Sequence, residues 1–338
     1  GSSSSFKPVV CVTGANGFLA SHIIKQLHDS GNFSVRGTVR STRDTSKVSH
    51  IQSLCSLYEA DLLKANSFDE AFRGCDVVMH VAMPVIMTAK NPQKDIVDPA
   101  VQGVENILSS IARNNSTVRR LIFTSSYEAI CSYEKAVRGY RFTEDDWDDG
   151  ASLESPYSYA KVLAEKAVLD AFNSRPELRT VKLVRLVPGW ICGPVLNPNP
   201  PAPLSLEPFL ALGSGEYPFA PRLSASVVDV RDCAAGHIRA IDIPVTDTSV
   251  RIALVSERVC TMLELCAVAR KCFPNIPFAN VQMPDFFLYL ATLWDKRLSY
   301  GFLRNNLGIQ YHVTNERSRK MLKLVYRPLE ESVHDSVE

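Results

Sequence analysis

Long apolar runs are missing from this sequence of 338 residues. The longest candidate, Phe286 to Trp294, is much shorter than the roughly 18 consecutive apolar residues that indicate a membrane-spanning helix. An excess of either charge is also missing, because 37 lysine and arginine residues face 36 aspartate and glutamate residues, for a formal net charge of +1. We therefore expect neither a membrane nor nucleic acid among the partners of this protein.

Paired cysteine motifs are missing as well. The nine cysteines are scattered, with no Cys-x-x-Cys pair and no histidine cluster beside them. Since disulfide frameworks and zinc sites need such arrangements, we expect free thiols in a reducing compartment, which favours the cytoplasm. We expect no metal and interpret the histidines as structural. Residues 1–7 lack the charged region and apolar run of a signal peptide, and we interpret them as a tag or a disordered start.

What the sequence does contain is an alternation of strand-like and helix-like segments. Apolar residues make up 46% of the chain and charged residues 22%, which is typical of a globular protein with a large core. Strands are predicted at 9–13, 35–39, 57–60, 76–82, 121–124, 182–187 and 250–255, and helices at 18–27, 101–112, 158–172 and from Asp232. This alternation predicts an α/β fold with a parallel sheet covered on both faces.

A glycine turn lies between the first predicted strand and the first predicted helix. It reads Thr13-Gly14-Ala15-Asn16-Gly17-Phe18-Leu19-Ala20, and a dinucleotide-binding turn belongs at this position. Gly14 would permit the tight turn, Gly17 would let backbone N–H groups approach a pyrophosphate, and Ala20 would let the helix pack closely. The helix N-terminus adds partial positive charge. The alternative interpretation is a tight turn without a ligand.

The second predicted strand ends in basic residues where an NAD-specific site carries an acid. Val39 is followed by Arg40, with Lys47 shortly after. A guanidinium can hold a 2′-phosphate through charge-assisted hydrogen bonds, so the sequence favours NADP over NAD. A solvated basic loop is the alternative. Asp61 could accept a hydrogen bond from an adenine amino group, and an ordinary loop aspartate is an equally good interpretation.

Tyr157 and Lys161 are four residues apart, so both lie on one face of a helix that Ser155 and Pro156 would begin. A phenol has a reference pKa of about 10, and we expect the nearby ammonium to lower it. The tyrosine could then donate a proton to a carbonyl oxygen during hydride transfer. Tyr159 would point to a different face and is the weaker candidate.

Two serines, Ser125 and Ser126, follow the strand that ends at Thr124. Small hydroxyls at the carboxyl end of a parallel strand lie where open α/β sheets bind ligands, and one of them can polarise a substrate oxygen. A turn or capping pair is the alternative. Because the sequence has no Gly-x-Ser-x-Gly motif, serine esterase chemistry is disfavoured.

In this order, the glycine turn, the strand-end serine and the Tyr-x-x-x-Lys motif resemble the extended short-chain dehydrogenase/reductase family. Within it, the chain is similar to the branch of dihydroflavonol reductases, cinnamoyl-CoA reductases and fungal aldehyde or methylglyoxal reductases. The segments that carry the resemblance are 35–40 (VRGTVR), 80–82 (HVA), 118–127 (VRRLIFTSSY), 164–167 (AEKA) and 228–232 (VDVRD). The resemblance covers nearly the whole chain from Pro8 onward.

The resemblance implies a Rossmann-type doubly wound parallel sheet with a smaller C-terminal substrate lobe. Residues 8–187 would form the NADP-binding domain, and 226–256 would return to it. Residues 188–225 and 257–338 would form the substrate-binding lobe. Prolines crowd the stretch from 188 to 223, and long irregular insertions of this kind are usually functional. Whether 194–221 is a mobile lid stays open.

The resemblance also implies roles for individual residues. Ser126 and Tyr157 would bind the reacting oxygen, with Tyr157 as the proton donor. Lys161 would lower the pKa of the tyrosine and hold the nicotinamide ribose. The predicted cofactor-binding residues are Gly14, Asn16, Gly17, Phe18, Leu19, Arg40, Lys47, Asp61, Leu62, Val81, Ala82, Thr124, Tyr157, Lys161, Pro188 and Gly189.

Departures from the branch bear on the substrate. Cys131 stands where the flavonoid reductases carry an asparagine, and 155–159 (SPYSY) lacks the Asn-Trp-Tyr-Cys-Tyr signature of cinnamoyl-CoA reductases. The sequence at 125–127 (SSY) is more similar to that of the fungal aldehyde and ketone reductases. The sequence predicts a largely apolar and aromatic substrate pocket, lined by Met83, Tyr127, Ile130, Trp190 and Tyr217. For each of these side chains, packing in the core is an equally good interpretation.

The sequence therefore predicts an NADPH-dependent carbonyl reductase that acts on a small-molecule aldehyde or ketone, as a monomer or a homodimer. A hydroxysteroid dehydrogenase and a sugar-nucleotide epimerase share the same serine, tyrosine and lysine and are the enzymatic alternatives. An NADP-sensing regulatory protein on the same fold is the alternative without catalysis, and such proteins typically lose the catalytic tyrosine.

Two further segments carry predictions of their own. The acidic run 144–149 (EDDWDD) is interpreted as a solvated loop, with a divalent-ion site as the alternative. The segment from Asp285 to Leu298 has apolar residues on nearly every side of a short helix. This pattern indicates burial, a face for self-association or a pocket wall, and the sequence does not choose among them.

Overall fold

A parallel sheet of seven strands forms the centre of the protein, in a computed structural model that describes residues 7–83, 90–197, 199, 202–216, 218–256, 258–293 and 300–338. The strands are β1 (Val9–Thr13), β2 (Ser34–Val39), β3 (Ser56–Glu59), β4 (Val77–His80), β5 (Arg120–Thr124), β6 (Arg141–Phe142), β7 (Lys182–Pro188), β8 (Trp190–Cys192), β9 (Phe219–Ala220), β10 (Ser224–Asp229), β11 (Ser249–Leu254), β12 (Val259–Thr261), β13 (Val281–Gln282) and β14 (His312–Val313). The central order is β11-β7-β5-β4-β1-β2-β3, so the winding direction reverses between β1 and β4.

Helices cover both faces of this sheet. They are α1 (Phe18–Ser30), α2 (Asp69–Phe72), α3 (Asp98–Arg113), α4 (Tyr133–Ala136), α5 (Pro156–Ser174), α6 (Glu207–Ala211), α7 (Val230–Arg239), α8 (Met262–Cys272), α9 (Asp285–Ala291), α10 (Tyr300–Asn306), α11 (Glu316–Met321) and α12 (Leu329–Val337). One core lies between the sheet and α1 with α7, and a second lies between the sheet and α3 with α5. The predicted α/β fold with a doubly wound parallel sheet is confirmed.

Local sequence explains where these elements begin and end. The β-branched run of β1 is buried from Val10 onward, as expected for a strand with helices on both faces. Helix α1 ends at Gly31, whose φ of 68° lies in the left-handed region. Helix α8 begins at Thr261, which forms a reciprocal capping box with Glu264. None of the helices described is long and apolar enough to cross a membrane.

A third core lies beyond the carboxyl end of the sheet. Phe209 of α6 stacks on Phe278 with ring centroids 5.2 Å apart, and both are buried with residues of β8, β10, α8 and α12. Strands β12, β10 and β8 form a small sheet beside it. The stretch from 188 to 223, which the sequence predicts to be irregular, therefore contains β8, α6 and β9. These elements form because their apolar residues pack against α8 and α12, which lie much later in the chain.

The structure bears on two segments that the sequence analysis singled out. The acidic run at 144–149 is not simply a solvated loop, because Glu144 is buried and Asp146 is bound by Lys135 at 2.8 Å. Of the three alternatives for the segment from Asp285, burial does not hold over α9, where Phe286 and Phe287 are 65% and 58% exposed. Residues 294–298 of that segment lie outside the described residues.

Candidate active site

The glycine turn adopts the geometry that only glycine tolerates at its first position. Gly14 has a φ of 67°, and a Cβ atom there would lie 2.9 Å from the Cβ of Ala82. The N–H of Gly17 donates to the carbonyl of Gly14 at 2.8 Å, which closes the turn just before α1. Since Gly17 has no side chain to cap α1, the first N–H groups of the helix stay open to an anion.

The other predicted residues of the turn are placed around the start of α1. Asn16 is exposed, Phe18 is half-buried with its ring edge against His22, and Leu19 is buried in the core. The side chain of Leu19 therefore packs inward, and only its backbone is positioned to meet a ligand at this end of the sheet.

Thr13 joins the end of β1 to the segment after β4. Its hydroxyl accepts hydrogen bonds from the N–H groups of Val81 at 3.1 Å and Ala82 at 3.0 Å, and it lies 3.0 Å from Nδ1 of His80. Burial lowers the pKa of His80 to about 3, so the ring is neutral and its Nδ1 can accept from the hydroxyl of Thr13. These bonds hold Val81 and Ala82, both predicted cofactor residues, against the glycine turn.

The predicted 2′-phosphate residues lie on an exposed loop after β2. Among the described residues, the guanidinium of Arg40 has no hydrogen-bond or ion-pair partner, whereas Lys47 forms an exposed ion pair with Asp44 at 3.0 Å. The carboxylate of Glu59 accepts from both the N–H and the hydroxyl of Thr42 at 2.8 Å, which anchors the loop to β3. The loop can therefore present Arg40 to an anion without first breaking an ion pair.

The predicted adenine residues lie in the turn after β3. One carboxylate oxygen of Asp61 accepts from the N–H of Leu63 at 2.9 Å, so part of its hydrogen-bonding capacity is used within the turn. The carbonyl of Leu62 accepts from Asn106 of α3 at 2.6 Å. The turn is thereby fixed to the neighbouring helix, with the second oxygen of Asp61 still available.

Ser126, Tyr157 and Lys161 are brought together at the carboxyl end of β5. The Ser126 hydroxyl lies close enough to the Tyr157 phenol to act on its pKa, and Nζ of Lys161 lies 5.7 Å from the centroid of the Tyr157 ring. Ser126 also accepts from the N–H of Glu128 at 3.3 Å, which caps a short 3₁₀ turn directly after β5. Pro156 occupies the first turn of α5 and Ser155 precedes it, as predicted.

The protonation states of this group differ from the expectation. Lys161 was expected to lower the pKa of Tyr157, but that pKa is raised, first by desolvation and then by the carboxylate of Glu128, while the hydrogen bond with Ser126 opposes the rise. Burial lowers the pKa of Lys161 to about 8, against the carboxylates of Glu165 and Glu128. Tyr157 is 40% exposed, so its protonated side chain can be reached from solvent beside the cleft that Ser155 and Ser158 line.

A buried ionic network behind these residues was missed by sequence reasoning. Glu165, which is fully buried, accepts from Ser125 at 2.5 Å, from Arg185 at 3.1 Å and from Arg251 at 2.8 Å. The guanidinium of Arg251 also lies over the Trp147 ring, 4.1 Å from its centroid. Glu165 lies one turn after Lys161 on the same face of α5, which is the one signal in the sequence that points to it.

Thr124, Pro188 and Gly189 define the neighbouring strand ends. The Thr124 hydroxyl bonds to Nε2 of His237 at 2.8 Å, so its side chain is directed toward α7. Pro188 ends β7, and a Cβ atom on Gly189 would lie 2.1 Å from the carbonyl oxygen of Ser226. Glycine is therefore required where β7 passes into β8.

The predicted substrate residues are only partly in one place. Tyr127 lines a cleft beside Tyr157, whereas Ile130 is fully buried in the small core against which Tyr127 packs. Met83 packs half-buried against the start of α3, and Trp190 donates to the carbonyl of Ser205 at 2.7 Å. Tyr217 lies outside the described residues.

Comparisons with known proteins support this arrangement. The model of the 3-beta hydroxysteroid dehydrogenase/isomerase family matches residues 11–195. The chain belongs to this family. It is 35% identical over 280 residues to the tetraketide alpha-pyrone reductase 2 of Arabidopsis thaliana, covering 80% of this chain and 84% of that protein. It is also 31% identical to a cinnamoyl-CoA reductase of Medicago truncatula, covering 100% of this chain and 97% of that protein.

A solved structure extends the comparison. The yeast methylglyoxal/isovaleraldehyde reductase Gre2, crystallised with NADPH, superposes with a TM-score of 0.80 at 27% identity, over 97% of this chain and 96% of that one. The predicted resemblance to extended short-chain dehydrogenase/reductases of the dihydroflavonol reductase and methylglyoxal reductase branch is confirmed.

Proposed function

We propose that this family member reduces an aldehyde or a ketone to an alcohol with NADPH, and that Tyr157 donates the proton. The chain is an NADP-dependent oxidoreductase of the short-chain dehydrogenase/reductase type. The observation that carries the finer proposal is that Ser126 and Lys161 both lie beside the Tyr157 side chain, at the carboxyl end of a doubly wound sheet.

The residues present fit a bound dinucleotide phosphate. A side chain at position 14 would collide with Ala82 beside the turn where the pyrophosphate is expected, and the start of α1 keeps its N–H groups free of a side-chain cap. Arg40 would hold the 2′-phosphate, since its guanidinium has no other partner in the part of the chain that is described. When bound, NADPH supplies the hydride that reaches the carbonyl carbon.

Each catalytic side chain then has one task. Tyr157, whose pKa is raised, holds its proton at neutral pH and can deliver it to the carbonyl oxygen as that oxygen gains negative charge. Lys161, with a pKa of about 8, is mostly charged at pH 7 and would stabilise the phenolate that remains. Ser126 accepts from the N–H of Glu128 and can still donate its own hydrogen to the substrate oxygen.

The test is the oxidation of NADPH by the purified protein with a panel of aldehydes, α-keto aldehydes, diketones, flavanonols and steroid ketones. Tyr157→Phe should retain the wild-type Kd for NADPH and lower kcat at least ~100-fold, the usual contribution of general acid catalysis. Tyr159→Phe is the matched control, because Tyr159 lies two residues away and packs beside Leu163 in a small separate core. That variant should keep wild-type kcat.

Two outcomes contradict the proposal. Retained turnover in Tyr157→Phe would remove the tyrosine from the chemistry. Tight NADPH binding without turnover of any compound would favour a sensor of the cofactor.

Because the matching family is described as acting on hydroxysteroids, steroid ketones belong in the panel. The cleft beside Tyr157 is lined by several carboxyl groups, which disfavours a largely apolar steroid.

A further inference from the structure

Carboxyl groups dominate a cleft that opens beside the Tyr157 and Ser158 end of α5. Four acidic side chains line it, namely Glu128, Glu134, Asp148 and Glu154, and the cation on its wall is Arg304. Arg304 is bound by Glu154 at 3.0 Å. Glu128 and Asp148 form no ion pair with any lysine or arginine that the structure describes.

Glu128 lies beside the catalytic hydroxyls. It follows Ser126 by two residues, and its N–H donates to the Ser126 hydroxyl at 3.3 Å. Its carboxylate accepts from Ser158, the residue after Tyr157, at 2.5 Å. Burial raises the pKa of Glu128, and the bond with Ser158 and the charge of Lys161 oppose that rise. Since an ionised carboxylate can accept about four hydrogen bonds, capacity remains for a ligand. A substrate carbonyl held by Ser126 and Tyr157 would therefore carry its substituents past this carboxylate.

Asp148 supplies a second carboxylate on the same cleft. Its N–H donates to the carbonyl of Ala129 at 3.0 Å, one residue from Glu128, and its side chain accepts from the N–H of Gly150 at 3.2 Å. Burial and then the charges of Glu128 and Asp149 raise its pKa to about 6. The two carboxylates repel each other, while the charges of Lys161 near Glu128 and of Lys166 near Asp148 offset part of that repulsion. A cationic or hydrogen-bond-donating ligand group between the carboxylates would relieve what remains.

We propose that Glu128, assisted by Asp148, selects carbonyl substrates that carry a positively charged or hydrogen-bond-donating substituent and rejects those that carry a carboxylate or phosphate. This inference rests on the proposed function, since it places the substituent relative to a carbonyl held at Tyr157. The tyrosine rings of Tyr127 and Tyr311 on the same cleft suit this substituent, because aromatic faces attract cations.

The experiment compares benzaldehydes that carry a methyl, hydroxymethyl, trimethylammoniomethyl or carboxylate group at the para position. The wild-type protein should show kcat/KM for the hydroxymethyl or the trimethylammoniomethyl compound at least ~10-fold above that for the carboxylate. The trimethylammonium group carries charge but donates no hydrogen bond, so the better of the two compounds tells which property Glu128 recognises.

Glu128→Gln should reduce this ratio at least ~10-fold, because it removes the charge and keeps the size of the side chain. Ratios between substrates are used because they cancel any general loss of activity or folded protein. Glu70→Gln is the control, since Glu70 is an exposed partner of Arg73 on α2 and its loss removes one negative charge elsewhere. That control should keep the wild-type ratio.

A second measurement separates this inference from the proposed function. The same four compounds are titrated into the complex with NADP+, which has no hydride to transfer, and binding is followed by calorimetry. Equal binding of the carboxylate and trimethylammonium compounds by the wild-type protein, or an unchanged ratio in Glu128→Gln, would overturn the inference. A clear binding preference without NADPH oxidation would instead contradict only the proposed reductase activity and leave this inference standing.

Discussion

Gly14 is the residue at which local geometry decides whether a cofactor can bind. We predict that Gly14→Ala raises the Kd for NADPH at least ~10-fold, because the new Cβ would lie 2.9 Å from the Cβ of Ala82 and displace the segment beside the turn. Gly31→Ala is the matched control, since Gly31 has nearly the same φ, 68°, but no atom within 4 Å of the added Cβ.

Both variants share the cost of a left-handed backbone, about 1 kcal/mol, so their difference isolates the contact with Ala82. Urea unfolding without the cofactor gives the stability of each variant, and fluorescence titration gives the Kd. An equal Kd for NADPH in the two variants would mean that the turn does not meet the cofactor.

Single residues also show where sequence reasoning ends. Ser126, Tyr157 and Lys161 were predictable because a strand end and a spacing of four residues mark them. Glu128 was not, since a lone glutamate after a strand is ordinary, and it acts on the pKa of Tyr157 only because the fold brings its carboxylate to the start of α5, where Ser158 binds it. The error about the pKa of Tyr157 has the same origin, because desolvation has no sequence pattern.

At the scale of elements, Glu165 fixes α5 to three strands. It binds Ser125 after β5, Arg185 on β7 and Arg251 on β11, and it is fully buried. We predict that Glu165→Gln lowers the free energy of unfolding by about 3 kcal/mol or more, because two arginines lose their buried counter-charge. Urea unfolding followed by circular dichroism measures this change.

The matched control is Glu105→Gln, which removes the partner of Arg175 in a half-exposed ion pair on α3. Because solvent screens that pair, its loss should lower the free energy of unfolding by less than about 1 kcal/mol. A similar loss in both variants would show that the network around Glu165 does not anchor α5.

The order of elements was largely predictable, because buried parallel strands and amphipathic helices leave distinct periods in the sequence. Boundaries shifted where the start of a helix carries no apolar signal, as in α3, which begins at Asp98 instead of Val101. The sequence analysis does not predict strands β8 and β10. Each is held as a strand by pairing with the other, at positions 190–192 and 227–229. Such pairing is a property of the folded chain and not of either segment.

At the scale of the whole molecule, the catalytic face is assembled from distant parts of the chain. The ends of β1, β4, β5 and β7 are adjacent in the sheet, which explains why the glycine turn at 14–17 meets the serine and the tyrosine that follow it by more than 100 residues. The division into an NADP-binding domain at 8–187 with 226–256 and a substrate lobe stays a prediction, as does the monomeric or dimeric state.

The pH dependence of global stability tests the burial of His237. Its Nδ1 donates to the carbonyl of Cys233 at 2.8 Å, its Nε2 accepts from Thr124, and burial lowers its pKa to about 4. The unfolded chain therefore binds a proton first as the pH falls below about 6.5, and this group destabilises the folded state progressively down to pH 4.

We predict that the difference in free energy of unfolding between the wild-type protein and His237→Gln narrows by about 2 kcal/mol when the pH falls from 7.5 to 5. Only the wild-type protein loses the stability that comes from keeping the His237 imidazole neutral. His312→Gln serves as the control, because the His312 ring is exposed on β14 and meets solvent before and after unfolding. Its difference from the wild type should stay constant. Urea unfolding at both pH values measures the effect, and a difference for His237→Gln that does not narrow would contradict a buried, neutral imidazole that couples α7 to the end of β5.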